Sequence, residues 1–160
     1  MSQKYEQLRY KAAAIAVQEE SRNVREEGEN NRGPRIDVYK LRANSPLSAN
    51  HNWCGFFVYY CLSEAARWYN QQLPFIPEKL WSGGRLTEWA GLNPDAVVSA
   101  PPYLPGDFYV MNHGHIGIVV EHSGGDVLKT VDGNQSSVGK GKSLRHRKRH
   151  LADMRVVIRI

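Results

Sequence analysis

The sequence contains few cysteines, and this scarcity excludes a disulfide-stapled scaffold. Only two of its 160 residues are cysteine, Cys54 and Cys61, whereas small disulfide-dependent domains are rich in this residue. If both lay on one helix, their Cα atoms would be about 10 Å apart, which exceeds the roughly 7 Å that a disulfide can span. At least one thiol is therefore free for another role.

Long apolar runs are also lacking. No stretch approaches the roughly 20 apolar residues that a membrane-spanning helix requires, and residues 1–6 lack the apolar run and cleavage site of a secretory signal. With 41% apolar and 23% charged residues, the composition is that of a globular protein and excludes a largely disordered chain. We expect a protein without a transmembrane segment, made in the cytoplasm without a signal peptide and exported only by another system.

The positive charges are concentrated near the C-terminus. The net charge is +5, and the excess lies in a basic segment (Lys140, Lys142, Arg145, Arg147, Lys148 and Arg149). Such a segment favours a polyanion or an acidic partner. It has no aromatic residue for base stacking, so we expect no nucleic acid. A solvated basic loop is the alternative interpretation.

The hydrophobic period changes halfway along the chain. Residues 4–27 and 54–71 repeat apolar side chains at helical spacing, with shorter helical pieces at 36–41 and 80–90. From Gly106 onward the period becomes two, which predicts strands. The predicted strands are Phe108–Met111, His115–His122, Val127–Asp132 and Met154–Ile160. This order indicates an α+β fold in which N-terminal helices pack on an antiparallel β-sheet.

Cys54 stands at the predicted start of the central helix. Unpaired backbone N–H groups and the positive end of the helix dipole stabilise a thiolate there and lower the pKa of the thiol. Cys61 lies two turns further along the apolar face, where we expect an inert core residue. A cysteine at a helix start is often only structural, so a catalytic role requires a partner base.

His115 is the candidate base. If Gly124 and Gly125 form a two-residue hairpin turn, His115 lies directly opposite Asn134, with Cβ atoms about 5 Å apart. Asp132 is then the diagonal neighbour on the same sheet face. A thiolate beside an imidazole that an Asp or Asn orients can hydrolyse an amide.

Other groups near this constellation remain open. His113 lies two residues before His115 and is a rival base, and His51 could contribute to the pocket. The Cys54 backbone N–H is the expected oxyanion donor, and Asn52 or His51 could be the second. No paired ligand spacing points to zinc, so we expect no metal.

Several short motifs around these residues stand in one order along the chain. They are 29–34 (ENNRGP), 52–58 (NWCGFFV), 105–108 (PGDF), 114–119 (GHIGIV) and 131–134 (VDGN). In this order they resemble the CHAP domain and the NlpC-type hydrolases, which are papain-like cysteine amidases and endopeptidases of bacterial cell walls. The resemblance covers residues 26–135.

The resemblance implies roles for four residues. Cys54 corresponds to the nucleophile and His115 to the base, while Asp132 and Asn134 match the third and fourth active-site positions. Relatives often have the longer Glu at the third position, so Asp132 has a shorter reach. Some phage members bind calcium through an Asp-rich loop before the cysteine, but residues 43–45 (ANS) lack those carboxylates. We therefore expect neither calcium nor another cofactor.

At 160 residues the chain fits a single catalytic domain. It comprises an N-terminal helix (1–27), a papain-like catalytic core (28–135), and a basic loop with a closing strand (136–160). The implied activity is hydrolysis of a peptidoglycan amide, either the N-acetylmuramoyl-L-alanine bond or a bond within the stem peptide.

The implied setting is antibacterial. We expect a type VI secretion effector that acts in the periplasm or cell wall of a target cell, with a cognate immunity protein as a partner in the producer. A phage endolysin of the same chemistry is the alternative. A non-enzymatic basic binding module and a cysteine peptidase acting on proteins are the competing functions.

Overall fold

Helices occupy the first part of the chain and strands the second. The computed structural model describes residues 5–137 and 140–160, and within them four α-helices precede a five-stranded antiparallel sheet. The helices are α1 (Glu6–Ser21), α2 (Pro34–Arg42), α3 (Cys54–Trp68) and α4 (Gly83–Leu92), with 3-10 turns at Pro77–Trp81, Pro94–Ala96 and Leu151–Asp153. The strands are β1 (Phe108–Met111), β2 (Ile116–Glu121), β3 (Val127–Ser137), β4 (Lys140–His150) and β5 (Met154–Ile158). The predicted α+β fold class is confirmed.

The helices cover one face of the sheet, whose strand order is β4-β3-β2-β1-β5. Phe57 of α3 and Leu8 of α1 share the main apolar core with Ile118 of β2. The opposite face carries a smaller apolar cluster around Tyr109 and Val119. In the described part of the chain, no helix combines the length and the apolar character needed to cross a bilayer.

Two predicted helices end earlier than their hydrophobic patterns indicated. α3 begins at Cys54, as predicted, but ends at Trp68, and the left-handed φ of 50° at Asn70 is typical of a helix end. α1 stops at Ser21 instead of continuing to residue 27, because the chain then turns to pair Arg25 with Ser143.

The basic segment is a strand and not a loop. β4 pairs antiparallel with β3 at the edge of the sheet, so the loop expected within residues 136–160 is wrong. Successive side chains of a strand point to opposite faces, which separates neighbouring like charges, and edge strands accommodate Lys and Arg well. The alternation places Arg145, Arg147 and Arg149 on the sheet face of Asp132. Residues 138–139 of the segment lie outside the described residues.

The predicted hairpin register holds only in the middle of the ladder. Ile118 pairs with Val131, which is the predicted register. β2 begins after His115, and β3 is irregular just after Asp132, where Asn134 has a positive φ of 59°. The expected pairing of His115 directly opposite Asn134 is therefore wrong, because the regular ladder does not extend that far.

The N-terminal end of α3 packs so closely on two other segments that the glycines at these contacts could not carry a side chain. A Cβ at Gly55 would lie 1.9 Å from the carbonyl oxygen of Leu80 and 2.9 Å from Cδ1 of Ile116. A Cβ at Gly133 would lie 2.8 Å from the ring of Trp53. Both glycines therefore allow the helix tip to approach its neighbours closely.

We expect Gly55→Ala to lower the free energy of unfolding by roughly 3 kcal/mol, because an overpacked site must displace its neighbours. Gly91→Ala is the matched control, since Gly91 lies in α4 with nothing within 4 Å of its Cβ. There alanine should stabilise the helix by roughly 0.5–1 kcal/mol. Urea denaturation of both variants measures the contrast, and equal stabilities would contradict the close packing at Gly55.

Candidate active site

Cys54 lies at the N-terminus of α3 with its sulfur surrounded by hydrogen-bond donors. The side chain of His115 and the backbone N–H groups of Ile116 and Gly55 lie beside Sγ and favour its thiolate form. The residue is 8% exposed and lines a surface cleft. Cys54 is therefore a buried residue at the wall of the cleft.

Trp53 fixes the helix tip that carries this sulfur. Its side chain is fully buried and its ring packs on Gly133 of β3. The indole Nε1 donates to Oε1 of Glu26, at 3.3 Å. This anchorage between the helix and the sheet sets the separation between Cys54 and the residues of β3.

His115 connects the helix tip to the sheet. Its Nε2 lies 3.1 Å from Oδ2 of Asp132, which leaves Nδ1 for the hydrogen bond with Cys54. The side-chain amide nitrogen of Gln135 lies 3.2 Å from the same Nε2. The ring is therefore held edge-on between the sulfur and a carboxylate, as a base in a catalytic triad must be.

Asp132 is completely buried and accepts hydrogen bonds from residues on three other segments. The Tyr109 hydroxyl donates at 2.7 Å, and Arg149 donates through Nε at 2.8 Å and Nη2 at 2.5 Å. Gly117 provides the space, because a Cβ there would lie 2.4 Å from Oδ1 of Asp132. The carboxylate is thus kept ionised and aimed at His115.

The surroundings of Cys54 and His115 favour a thiolate–imidazolium pair. Burial raises the pKa of the Cys54 thiol, but the hydrogen bond and charge of His115 outweigh it, and the pKa falls below its ordinary value. Burial lowers the pKa of His115, whereas hydrogen bonds with Asp132 and Cys54 raise it, to about 9. Burial raises the pKa of Cys61 well above its usual range, which fits the inert core position expected for it.

Asp132 owes its own ionisation to the same neighbours. Burial raises the pKa of its carboxyl group. The hydrogen bond and charge of His115 and the charge of Arg149 have the larger, opposite effect, so the pKa lies below its ordinary value. The charge of Asp132 in turn raises the pKa of Arg149 against the effect of burial. The four ionisable groups therefore form one chain of alternating charge.

Sequence reasoning missed Arg149, Tyr109 and Gln135 as members of this site. Arg149 also donates to Oε1 of Gln135 at 2.8 Å, which orients the amide next to His115. The available signal was the period of two in Arg145, Arg147 and Arg149, which is strand-like but lacks the apolar side chains that normally reveal a strand.

The other predicted site residues line the cleft without joining the hydrogen bonds of the triad. The ring of His113 stacks 6.2 Å from that of His115, but the histidine that hydrogen-bonds Cys54 is His115. Asn134 lines the cleft, and its buried Oδ1 has no hydrogen-bond partner. His51 and Asn52 also line the cleft, and both remain candidates for the second oxyanion donor.

The cleft above Cys54 has a volume of about 700 Å³. Two helix tips border it, Cys54 at the start of α3 and the Ser82–Gly84 segment at the start of α4. Gly83 permits the approach of α4, since a Cβ there would lie 2.3 Å from the Gly114 carbonyl oxygen. Within the described residues, no group of three or more His, Cys, Asp or Glu side chains could hold a metal ion.

Comparison of the chain with protein-family models, with curated proteins and with solved structures gives no match. Chemically, the site combines a thiolate, a proton donor that can become a base, and a backbone N–H at the tip of a helix. These are the parts that nucleophilic cleavage of an acyl bond requires.

We expect Cys54 to be alkylated by iodoacetamide at pH values well below the ordinary thiol pKa of about 8.5, because the thiolate is the reactive form. Its lowered pKa increases the share of that form at a given pH. His115→Ala removes the cation, so the alkylation midpoint should rise and the rate at pH 7 should fall about tenfold. Mass spectrometry distinguishes Cys54 from Cys61, which serves as the slow internal control. Identical midpoints in both proteins would contradict the ion pair.

We expect Arg149→Met to lower the free energy of unfolding by about 3 kcal/mol, because it removes the arginine that pairs with the buried Asp132 carboxylate beside His115. Arg145→Met is the matched control, since Arg145 is exposed and lies on the same face of β4. The lowered pKa of Asp132 contributes stability above its unfolded value of about 3.8 that is lost as the pH falls through the folded value.

In Arg149→Met the pKa of Asp132 rises, so acid unfolding should begin at a higher pH than in the wild type. Circular dichroism during acid titration measures this onset. Equal stability and equal acid onset of the Arg149 and Arg145 variants would contradict a structural ion pair at Asp132.

Proposed function

We propose that this protein is a cysteine hydrolase that cleaves an amide bond of bacterial peptidoglycan. The observation that carries the proposal is the hydrogen-bonded sequence from Cys54 through His115 to the buried Asp132 at the floor of an open cleft. The helix tip facing the sheet supports a papain-like architecture, in which a cysteine on a helix meets a histidine on a sheet.

The chemistry proceeds through a thioester. The Cys54 thiolate attacks the amide carbonyl, and the Cys54 backbone N–H stabilises the negative charge on its oxygen. The His115 imidazolium protonates the leaving amine. The neutral imidazole then takes a proton from water, which attacks the thioester and releases Cys54, while Asp132 keeps the ring oriented.

The choice of a wall substrate is supported by the motifs and by the cleft. The segments that resemble CHAP and NlpC-type hydrolases include the residues that carry the site, Cys54, His115 and Asp132. The cleft is lined mainly by polar side chains and glycines, which suits a hydrated polymer more than an apolar ligand. Amidase and stem-peptide endopeptidase activities both fit this proposal.

For the biological setting, we propose antibacterial action in the periplasm or cell wall of a target cell, with an immunity protein protecting the producer. A phage endolysin would use the same chemistry. In either setting, the wild-type protein should lyse cells when it is directed to the periplasm. The Cys54→Ala variant, directed there in the same way, should not lyse them.

Digestion of purified sacculi tests the activity directly. We expect the wild-type protein to release soluble fragments, Cys54→Ala to release none above background, and His115→Ala to be slowed by at least about a hundredfold, since a positioned acid–base group contributes roughly that much. Cys61→Ala is the matched control and should retain activity. Mass spectrometry of the fragments identifies the amide that is cut.

The competing functions predict different results in the same assay. A protein-directed peptidase would release peptides from casein but nothing from sacculi. A non-enzymatic basic module would show no dependence on Cys54. Either result, obtained with variants that fold like the wild type, would overturn the proposal.

A further inference from the structure

The cleft has an unusual charge composition. None of the described residues that line it is Asp or Glu, whereas Lys142, Arg149 and three histidines are among them. A cleft with cationic groups and no competing carboxylates attracts negatively charged ligands and disfavours positively charged ones.

Most of the charge at the floor of the cleft is balanced internally. Cys54 and His115 carry no net charge together, either as thiol and imidazole or as thiolate and imidazolium, and the guanidinium of Arg149 is bound to the carboxylate of Asp132. These four groups sum to no net charge. Lys142 is different, because no carboxylate of the described residues forms an ion pair with it.

The backbone of Lys142 is fixed at the wall of the cleft. Its N–H donates to Oε2 of Glu26 at 3.0 Å, and its carbonyl oxygen accepts from the Glu26 N–H at 2.8 Å. The other oxygen of Glu26 accepts from the indole of Trp53, the residue before the nucleophile. One carboxylate therefore links the backbone of Lys142 to the helix tip that carries Cys54.

The Glu26 carboxylate is already engaged by backbone and indole N–H groups. Besides Lys142 and Trp53, the backbone N–H of Asn31 donates to Oε1 at 2.9 Å. These contacts go to the main chain of Lys142 and not to its ammonium group. The ammonium therefore remains available to a ligand in the cleft.

We propose that Lys142 forms a carboxylate-binding subsite that selects substrates with a free carboxylate near the scissile amide. This inference rests on the proposed hydrolase function and specifies its substrate. Asn134 is a second candidate donor in the subsite, because it lines the cleft and carries an amide NH₂ group. Peptide stems of the wall carry such carboxylates, whereas its glycan amides do not.

The test uses one batch of sacculi in two forms. One portion is treated with carbodiimide and ammonium chloride, which converts carboxylates into carboxamides, and the other is treated with ammonium chloride alone. Wild type, Lys142→Gln and Lys148→Gln are compared by initial rates of fragment release at low substrate concentration. Lys148 is the matched control, since it is an exposed lysine of the same strand outside the cleft.

We expect amidation to slow the wild type about tenfold, as for the loss of one charged hydrogen bond of roughly 1.4 kcal/mol. Lys142→Gln should be slowed about tenfold on the untreated form, and on the amidated form it should match the wild type. Lys148→Gln should behave as the wild type on both. This non-additivity identifies the contact between the lysine and the carboxylate.

Each remaining result overturns the inference in a recognisable way. Equal rates of the wild type on the two forms, or an equal slowing of Lys142→Gln on both, would show that Lys142 does not read a substrate carboxylate, while leaving the hydrolase function intact. A wild type that digests neither form overturns the proposed function itself, and the subsite with it.

Discussion

The buried charge of Asp132 is the constraint around which this molecule is organised. A carboxylate with no exposure to solvent is stable only if protein groups replace its hydration, and here the replacements come from different parts of the sheet. Tyr109 of β1, Arg149 of β4 and His115, the residue before β2, all bind it. The ionised state of Asp132 therefore depends on the strand order that brings these three residues together.

Close approach between backbones is the second requirement of the site. Gly117 leaves the volume that the Asp132 carboxylate and the Tyr109 hydroxyl occupy, and Gly55 lets the helix tip touch Leu80 and Ile116. A side chain at Gly55 would push the helix tip away from Leu80 and Ile116, and one at Gly117 would displace Asp132 and Tyr109. The arrangement of Cys54, His115 and Asp132 in the candidate site therefore depends on close packing at both glycines.

Local sequence patterns were sufficient to predict the site residues that lie in helices and strands or next to them. The helical period placed Cys54 at the first turn of α3, and the period of two placed His115 and Asp132 on neighbouring strands. The triad contacts followed from this placement even though the register was wrong at Asn134. An irregularity in β3 moves that residue into a left-handed conformation, and no local signal in the sequence specifies such a shift.

The role of the basic segment could not be predicted for a different reason. Its alternating arginines form a strand because β3 provides a pairing partner and because an edge strand leaves charged side chains in contact with solvent. Both conditions depend on the tertiary structure. Charge composition alone pointed to a solvated loop. Composition also could not reveal that Arg149 pairs with a buried carboxylate, because that interaction depends on where the sheet places Asp132.

The position of Arg149 in the last hairpin also bears on how the protein matures. The groups that complete the site are spread from residue 54 to residue 149, so most of the chain must close on itself before they meet, and contacts of such long range generally form slowly. Before β4 has left the ribosome, the chain already contains Cys54, His115 and Asp132 but lacks Arg149, which pairs with Asp132. The candidate site is thus complete only after β4 has paired with β3.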